Sequence, residues 1–134
     1  MVINKEKTKK ILRRLFNGGA IRRIPRNRHD AKVFLALAAS SFDPQVGYSE
    51  PEVNEHLLDW MESITCPDSI DHVTVRRYLV DFSFLLRDNK GTLYRTNQSA
   101  INRIIEPEAR SIHPRYVLEE VSREREQRKH ASTT

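Results

Sequence analysis

The spacing of apolar residues predicts helices along most of the chain. Ile11, Leu12 and Phe16 share one side of a first helix over residues 5–16, and the run over residues 31–42 is apolar nearly all round. A helix with so little polar surface is normally buried. We therefore expect the second helix to lie at the centre of the fold.

Two further helices follow, joined by a turn that contains a proline. Ser49 and Glu52 have the spacing of a capping box, which predicts that the third helix begins at Ser49. The fourth helix is capped by Asp71 or Ser69 and runs to about Phe82. By helical geometry, its polar side chains point away from the core.

A β-hairpin is predicted directly after the fourth helix. Residues 84–87 and 92–96 have the composition of two strands, and an Asp-Asn-Lys-Gly turn joins them. We expect Leu93, with Phe84 or Leu86, to pack inward. The order of helix, turn, helix and hairpin predicts an α+β, mostly α protein: a winged helix-turn-helix with a small β-hairpin wing, plus N- and C-terminal helices.

Three regions are predicted. Residues 1–19 form a basic N-terminal helix, residues 20–96 form the winged helix-turn-helix domain, and residues 97–134 form a C-terminal extension with a charged helix. We expect disorder in the tail from Ala131 to Thr134. The charged helix has an apolar stripe, which either packs on the domain or pairs with a second copy as a homodimer contact. The stripe consists of Tyr116, Val117, Leu118 and Val121.

Positive charge is concentrated at the start of the chain. Residues 1–32 hold eleven Lys or Arg and two acids, a balance of +9, whereas the remaining residues have a balance of −4. This asymmetry favours a polyanionic partner, with nucleic acid first, although a solvated basic helix fits the charge equally well. Within this region, Ala20 to Ile24 is a candidate edge strand or extended arm that ends at Pro25.

Candidate nucleic-acid contacts follow from this fold, because the second helix of a helix-turn-helix lies in the major groove. Arg77 can bind guanine or a phosphate, or it can pair with Asp81. Arg76 lies at the edge of the apolar face, where a helix C-terminus or an acid of the preceding helix is an alternative partner. The predicted nucleic-acid-binding residues are His72, Thr74, Arg76 and Arg77 in the helix, Arg87, Lys90 and Arg95 in the wing, and Arg22, Arg23, Arg26 and Arg28 in the arm.

Acidic residues in the central region count against strong binding there. Between Val33 and Leu86 there are nine acids and two basic residues. One helical face contains Glu55, Asp59 and Glu62, and its negative charge would repel DNA phosphates. Since affinity for DNA rests mostly on neutralised phosphates, binding needs the cations of the arm and the wing.

Other functional classes have no support in the sequence. The single cysteine, Cys66, rules out an internal disulfide and fits a cytoplasmic protein. The five histidines show no metal-ligand spacing, and the chain has no phosphate loop and no nucleophile elbow. We therefore expect no enzyme activity, no cofactor, no metal and no membrane segment.

Several stretches resemble a known bacterial family. They are GGAIRRIP, YSEPEVN, DHVTVRRYLVDFSFLLRD and the G-x-x-Y-R that follows, and they occur in order within roughly residues 15–96. They are similar to the domain of unknown function 2087 family. The resemblance implies a winged-helix fold and a link to helix-turn-helix transcriptional regulators. One departure is Ser83, where that family often has Gly.

The sequence thus predicts a DNA-binding winged-helix protein, a bacterial transcriptional regulator. The alternative is a winged-helix module for protein–protein interaction, for dimerisation or regulation, without direct DNA binding. The hypothesis of RNA binding through the basic arm has less support, because no aromatic side chains for base stacking accompany the positive charge.

Overall fold

The computed structural model describes residues 2–133 and confirms a mostly helical α+β protein. Its strands form one antiparallel hairpin, in which Leu85 pairs with Thr96 and Arg87 pairs with Tyr94. The elements, in chain order, are α1 (Lys5–Leu15), α2 (Arg28–Ser40), α3 (Glu50–Glu62), α4 (His72–Asp81), β1 (Leu85–Arg87), β2 (Tyr94–Thr96), α5 (Gln98–Asn102), a 3₁₀ helix (Pro107–Ser111) and α6 (Pro114–Thr133).

Helix α2 is central, as its sequence predicts. Every residue from 33 to 39 is buried, and the helix contacts α1, α4, α5 and the 3₁₀ helix. Phe34 packs against Trp60 of α3 with their ring centroids 5.4 Å apart. The small side chains Ala36, Ala38 and Ala39 are fully buried, which lets the neighbouring helices approach α2 closely.

Helix α3 begins with the predicted capping box. The Ser49 hydroxyl accepts a hydrogen bond from the Glu52 N–H at 3.3 Å, and the Glu52 carboxylate accepts one from the Ser49 N–H at 2.9 Å. These bonds satisfy donors that the start of a helix leaves unpaired. The bond from the Ser49 N–H, with a smaller contribution from the Ser49 side chain, also holds the pKa of the Glu52 carboxyl below its usual value.

The hairpin has a different inner face from the predicted one. Phe84 is buried as expected, but Leu86 and Leu93 are 52% and 40% exposed. Tyr94 is buried instead, because its backbone pairs with Tyr48: Tyr94 N–H donates to Tyr48 O at 2.7 Å, and Tyr48 N–H donates to Tyr94 O at 2.8 Å. Since side chains alternate along a strand, a buried Tyr94 places Leu93 on the outer face.

The C-terminal helix α6 lies against α1. Val117 and Val121 are buried within the same chain, so this part of the apolar stripe packs on the domain, whereas Tyr116 is 59% exposed. Arg13 forms ion pairs with Glu120 and Glu124.

Helix α6 continues through Thr133, over most of the segment where disorder is predicted. Thr134 lies outside the described residues. None of the helices within residues 2–133 is long and apolar enough to cross a membrane.

Candidate nucleic-acid interface

Helix α4 is fixed to the core on one face and open on the other. The Asp71 carboxylate accepts from the Val73 N–H at 3.2 Å and caps the helix, as predicted. Val75 and Leu79 are fully buried. Thr74 and Arg77 are exposed on the face that points away from these two residues.

Arg77 is available to a ligand. The ion pairs among residues 2–133 do not include the predicted partner Asp81, and the guanidinium lies at the surface. His72 at the start of α4 is less open, because its ring is partly buried with Nδ1 3.5 Å from a carboxylate oxygen of Asp71.

Arg76 binds to α3 within the protein, which confirms the alternative that the sequence left open. Its side chain is 13% exposed, with Nη2 3.2 Å from Glu50 Oε1. Its Nη1 donates to Asn54 Oδ1 at 2.5 Å. Glu50 Oε1 also accepts from the Tyr94 hydroxyl at 3.3 Å. Arg76 therefore joins α4 to α3 and, through Glu50, to the hairpin.

The basic arm, residues 20–28, runs from the end of α3 to the end of α4. At its start, Ile21 N–H donates to Ile64 O at 3.0 Å and Cys66 N–H donates to Ile21 O at 2.9 Å. Near its other end, the guanidinium carbon of Arg28 is 5.6 Å from the ring centroid of Phe82.

The arm consists mostly of bends before Arg28 begins α2, and its one β-bridge is at Ile21, so it is not an edge strand within the hairpin's sheet. Both of its attachments are long-range contacts, and the spacing of residues in the sequence gives no signal for either. They bring the arm's cations next to the two helices of the predicted helix-turn-helix. Between the attachments lie the exposed side chains of Arg22, Arg23 and Arg26.

The hairpin presents three further exposed cations: Arg87 in β1, Lys90 in the turn and Arg95 in β2. Asp88 shapes this turn, because its carboxylate accepts hydrogen bonds at 2.7 Å from both the N–H and the hydroxyl of Thr92. The side-chain bond from Thr92 contributes most to holding the pKa of Asp88 below its usual value. The turn closes at Gly91, which has a φ of +69°.

A groove of about 920 Å³ lies between the end of α3 and the start of α4. We call it the acidic groove, because the four charged side chains in its lining, other than the titratable His72, are all carboxylates. Its apolar lining includes Leu58, which is 53% exposed. Negative charge here is unfavourable for phosphates at the N-terminal end of α4. The carboxylates belong to Asp59, Glu62, Asp68 and Asp71.

The structure thus defines a mostly helical α+β protein in which two helices joined by a turn precede a hairpin, with a basic arm beside them. Residues 20–96 match the model of a family described as uncharacterized proteins conserved in bacteria, and the chain belongs to this family, DUF2087. The match begins at the arm and ends at β2. Comparison with curated proteins and with solved structures finds no match.

Proposed function

We propose that the protein binds DNA as a winged helix-turn-helix and acts as a bacterial transcriptional regulator. In this arrangement residues 20–96 are the DNA-binding domain, α4 enters the major groove and the β1–β2 hairpin is the wing. The order of α2, the Tyr48 bridge, α3, α4 and the hairpin is compatible with this topology.

The position of the basic arm is the observation that carries the proposal. Phosphate contacts supply most of the affinity for DNA, and α4 by itself exposes one arginine, Arg77, on its outer face. The arm adds Arg22, Arg23 and Arg26 between the end of α3 and the end of α4. The cations of arm, helix and wing can then neutralise phosphates on both sides of a groove that contains α4.

The roles within this interface differ. Arg77 and Thr74 are exposed where a recognition helix meets base edges, so they are the residues proposed to read sequence. The arm and wing cations position the protein on phosphates. Arg76 has no direct role in this proposal, because its guanidinium is bound to Glu50 and Asn54. It acts by holding α4 in place.

The experiment is a selection of duplex DNA from random sequences, followed by binding measurements over a range of salt concentrations. If the arm binds phosphates, Arg22→Ala with Arg23→Ala weakens binding to all sequences alike and lowers the salt slope by about two, roughly one for each lost contact. Arg77→Ala instead relaxes the preference for the selected sequence, at a cost of about 1–3 kcal/mol if Arg77 binds a base.

A matched control is Arg103→Ala, which removes an exposed arginine outside the candidate interface. It should leave both the affinity and the salt slope unchanged. Absence of DNA retention at low salt by the unaltered protein would overturn the proposal. So would equal effects of the arm variants and the control.

A second candidate function is protein–protein interaction without DNA binding. The acidic groove favours it, since Leu58 and a row of carboxylates form a surface that repels phosphates. Under this alternative, substitution of the groove carboxylates by neutral residues would change the affinity for a protein partner, and the selection from random DNA would enrich no sequence.

A further inference from the structure

The acidic groove and the basic arm lie next to each other on the same molecule. Thr65 and Cys66 line the groove. The same two residues meet Ile21 of the arm: Thr65 forms the β-bridge with Ile21, and Cys66 N–H donates to Ile21 O at 2.9 Å. Arg22 directly follows Ile21. The positive and negative surfaces therefore begin at one shared point.

Three carboxylates of the groove and three guanidinium groups of the arm have no ion pair among the described residues, although the Asp59 carboxylate interacts electrostatically with His56 and His113. Asp59, Glu62 and Asp68 are exposed, and no ion pair or hydrogen bond of their carboxylates occurs in the described part of the chain. The same is true of the guanidinium groups of Arg22, Arg23 and Arg26 across residues 2–133. Each surface thus offers charge of one sign to an outside partner.

A surface whose adjacent halves carry opposite charge is complementary to itself. In a two-fold dimer the same patch is used on both copies, so the positive half of each copy meets the negative half of the other. The groove also has an apolar component in exposed Leu58, and the arm has half-buried Ile24 and Pro25 between its arginines. Leu58 and the exposed parts of Ile24 and Pro25 are apolar surface available to such a contact, although Ile24 also packs against the core.

We propose that the acidic groove receives the arginine arm of a second copy of this chain, in a two-fold symmetric dimer. In it, Arg22, Arg23 and Arg26 of one copy approach Asp59, Glu62 and Asp68 of the other, and the reverse contact forms at the same time. This surface is separate from the apolar stripe of α6, whose Val117 and Val121 are buried within their own chain.

The proposal does not rest on DNA binding, because the groove carboxylates are not among the residues proposed to bind DNA. The arm does take part in both. Reversal of the arm's charge therefore weakens both the dimer and the DNA complex. Reversal of the groove's charge weakens the dimer but does not weaken DNA binding, since it removes carboxylates that repel phosphates. Failure of one proposal is thereby distinguishable from failure of the other.

The test is sedimentation equilibrium of the full chain at low and high ionic strength. The expected result is self-association at low salt that weakens as salt screens the charges. Asp59→Lys with Glu62→Lys, and separately Arg22→Glu with Arg23→Glu, should each lower the association constant by about tenfold or more, because like charges then face each other across the interface.

Mixing the two charge-reversed proteins gives the sharpest result. The unaltered arm of the first meets the unaltered groove of the second, and the reversed groove meets the reversed arm, so an equimolar mixture should associate again although each protein alone does not. A matched control, Glu108→Lys with Glu126→Lys, makes the same change in net charge at exposed positions outside the groove and should leave association unchanged.

Circular dichroism of every variant establishes that its helices are retained. A protein that stays monomeric at low salt over the accessible concentration range would overturn the proposal. Association that persists in either charge-reversed protein would assign the dimer to another surface. Loss in both variants without recovery in the mixture would likewise reject the pairing of arm and groove.

Discussion

Arg28 lies over the ring of Phe82, with its guanidinium carbon 5.6 Å from the ring centroid. Arg28 begins α2 and Phe82 caps the end of α4, so this cation–π contact attaches the arm to the end of the proposed recognition helix. Phe82 continues into a row of rings, with centroids 6.3 Å from Tyr78 and 6.2 Å from Phe84.

We predict a favourable coupling of about 0.5–1 kcal/mol between Arg28 and Phe82, the usual size of an exposed cation–π contact. The measurement is a double-mutant cycle in urea with Arg28→Met and Phe82→Leu, which separates this contact from the effect of Arg28 on the helix dipole. The same cycle with Arg26→Met in place of Arg28→Met should give a coupling near zero. Equal coupling in both cycles would contradict the specific contact.

Ser83 provides a second prediction, because its φ of +64° lies in the left-handed region that favours glycine. It follows the C-cap of α4. There, Ser83 N–H donates to Val80 O at 2.9 Å and Phe84 N–H donates to Leu79 O at 2.8 Å, the pair of bonds that defines a Schellman motif. Ser83→Gly should raise the free energy of unfolding by about 1 kcal/mol, since a left-handed L-residue costs about that much.

Thermal or urea unfolding of Ser83→Gly and Ser83→Ala checks this prediction. Alanine keeps the Cβ, so Ser83→Ala should remain close to the unaltered protein. A Ser83→Gly variant that is no more stable than Ser83→Ala would show that the φ of Ser83 is not the source of strain.

Local signals in the sequence predict the helix starts well. Asn4, Asn27, Ser49 and Asp71 each accept a hydrogen bond from a backbone N–H two or three residues further on. Such bonds depend on neighbours along the chain, so a short stretch of sequence contains all the necessary information. The same reasoning places Gly91 in the hairpin turn.

Long-range pairing accounts for what the sequence does not predict. Leu93 is more apolar than Tyr94, yet Tyr94 is buried because the bridge to Tyr48 sets the register of the strand. A shift of one residue exchanges the two faces of a strand. The attachment of the arm through Ile21 and Arg28 also depends on residues far apart in the sequence. The acidic groove, too, requires two helices to be placed side by side before its carboxylates come together.

Arg76 gives a third prediction, because its largely buried guanidinium contacts Glu50 and Asn54. Arg76→Met should lower the free energy of unfolding by about 1.5–3 kcal/mol, the usual contribution of hydrogen bonds to charged groups. Glu50→Gln should cost less, since the amide oxygen still accepts from Arg76 and from the Tyr94 hydroxyl, and the Glu50 side chain is half exposed.

The matched control is Arg77→Met at the next position of α4, where the side chain is exposed. Its effect on stability should stay within about 0.5 kcal/mol, as for most surface substitutions. The measurement is the free energy of unfolding in urea of Arg76→Met, Glu50→Gln and Arg77→Met. An Arg76→Met protein as stable as the unaltered one would mean that apolar packing replaces the ion pair at no cost, and Arg76 would then have no structural role.

The last prediction concerns pH and the His56 side chain. Its Nε2 lies 2.7 Å from the Ser41 hydroxyl oxygen, and its ring centroid is 3.9 Å from that of Phe42. Burial lowers the pKa of His56 below the usual 6.5, against a smaller opposing effect of the Asp59 carboxylate. Burial likewise lowers the pKa of His113, with a further contribution from Arg115 in the same direction.

A lowered pKa in the folded state fixes the sign of the effect on stability. As the pH falls through about 6.5, the unfolded chain binds a proton at each histidine before the folded protein does, so the unfolded state is favoured. The stabilisation is therefore fully present above this pH and is lost progressively below it. Urea unfolding between about pH 8 and about pH 5, the interval in which histidine titrates, should show this loss.

His56→Gln separates this histidine from other titrating groups, because glutamine keeps a polar side chain near Ser41 but binds no proton in this interval. The free energy of unfolding should fall less steeply with decreasing pH in His56→Gln than in the unaltered protein. In the unaltered protein, the pKa of His56 followed through the NMR signals of its ring protons should be lower than that of histidine in an unfolded peptide. If the stability of both proteins depended on pH in the same way, and if the pKa of His56 were that of an unfolded peptide, the prediction would be wrong: burial would then not disfavour the protonated form of His56.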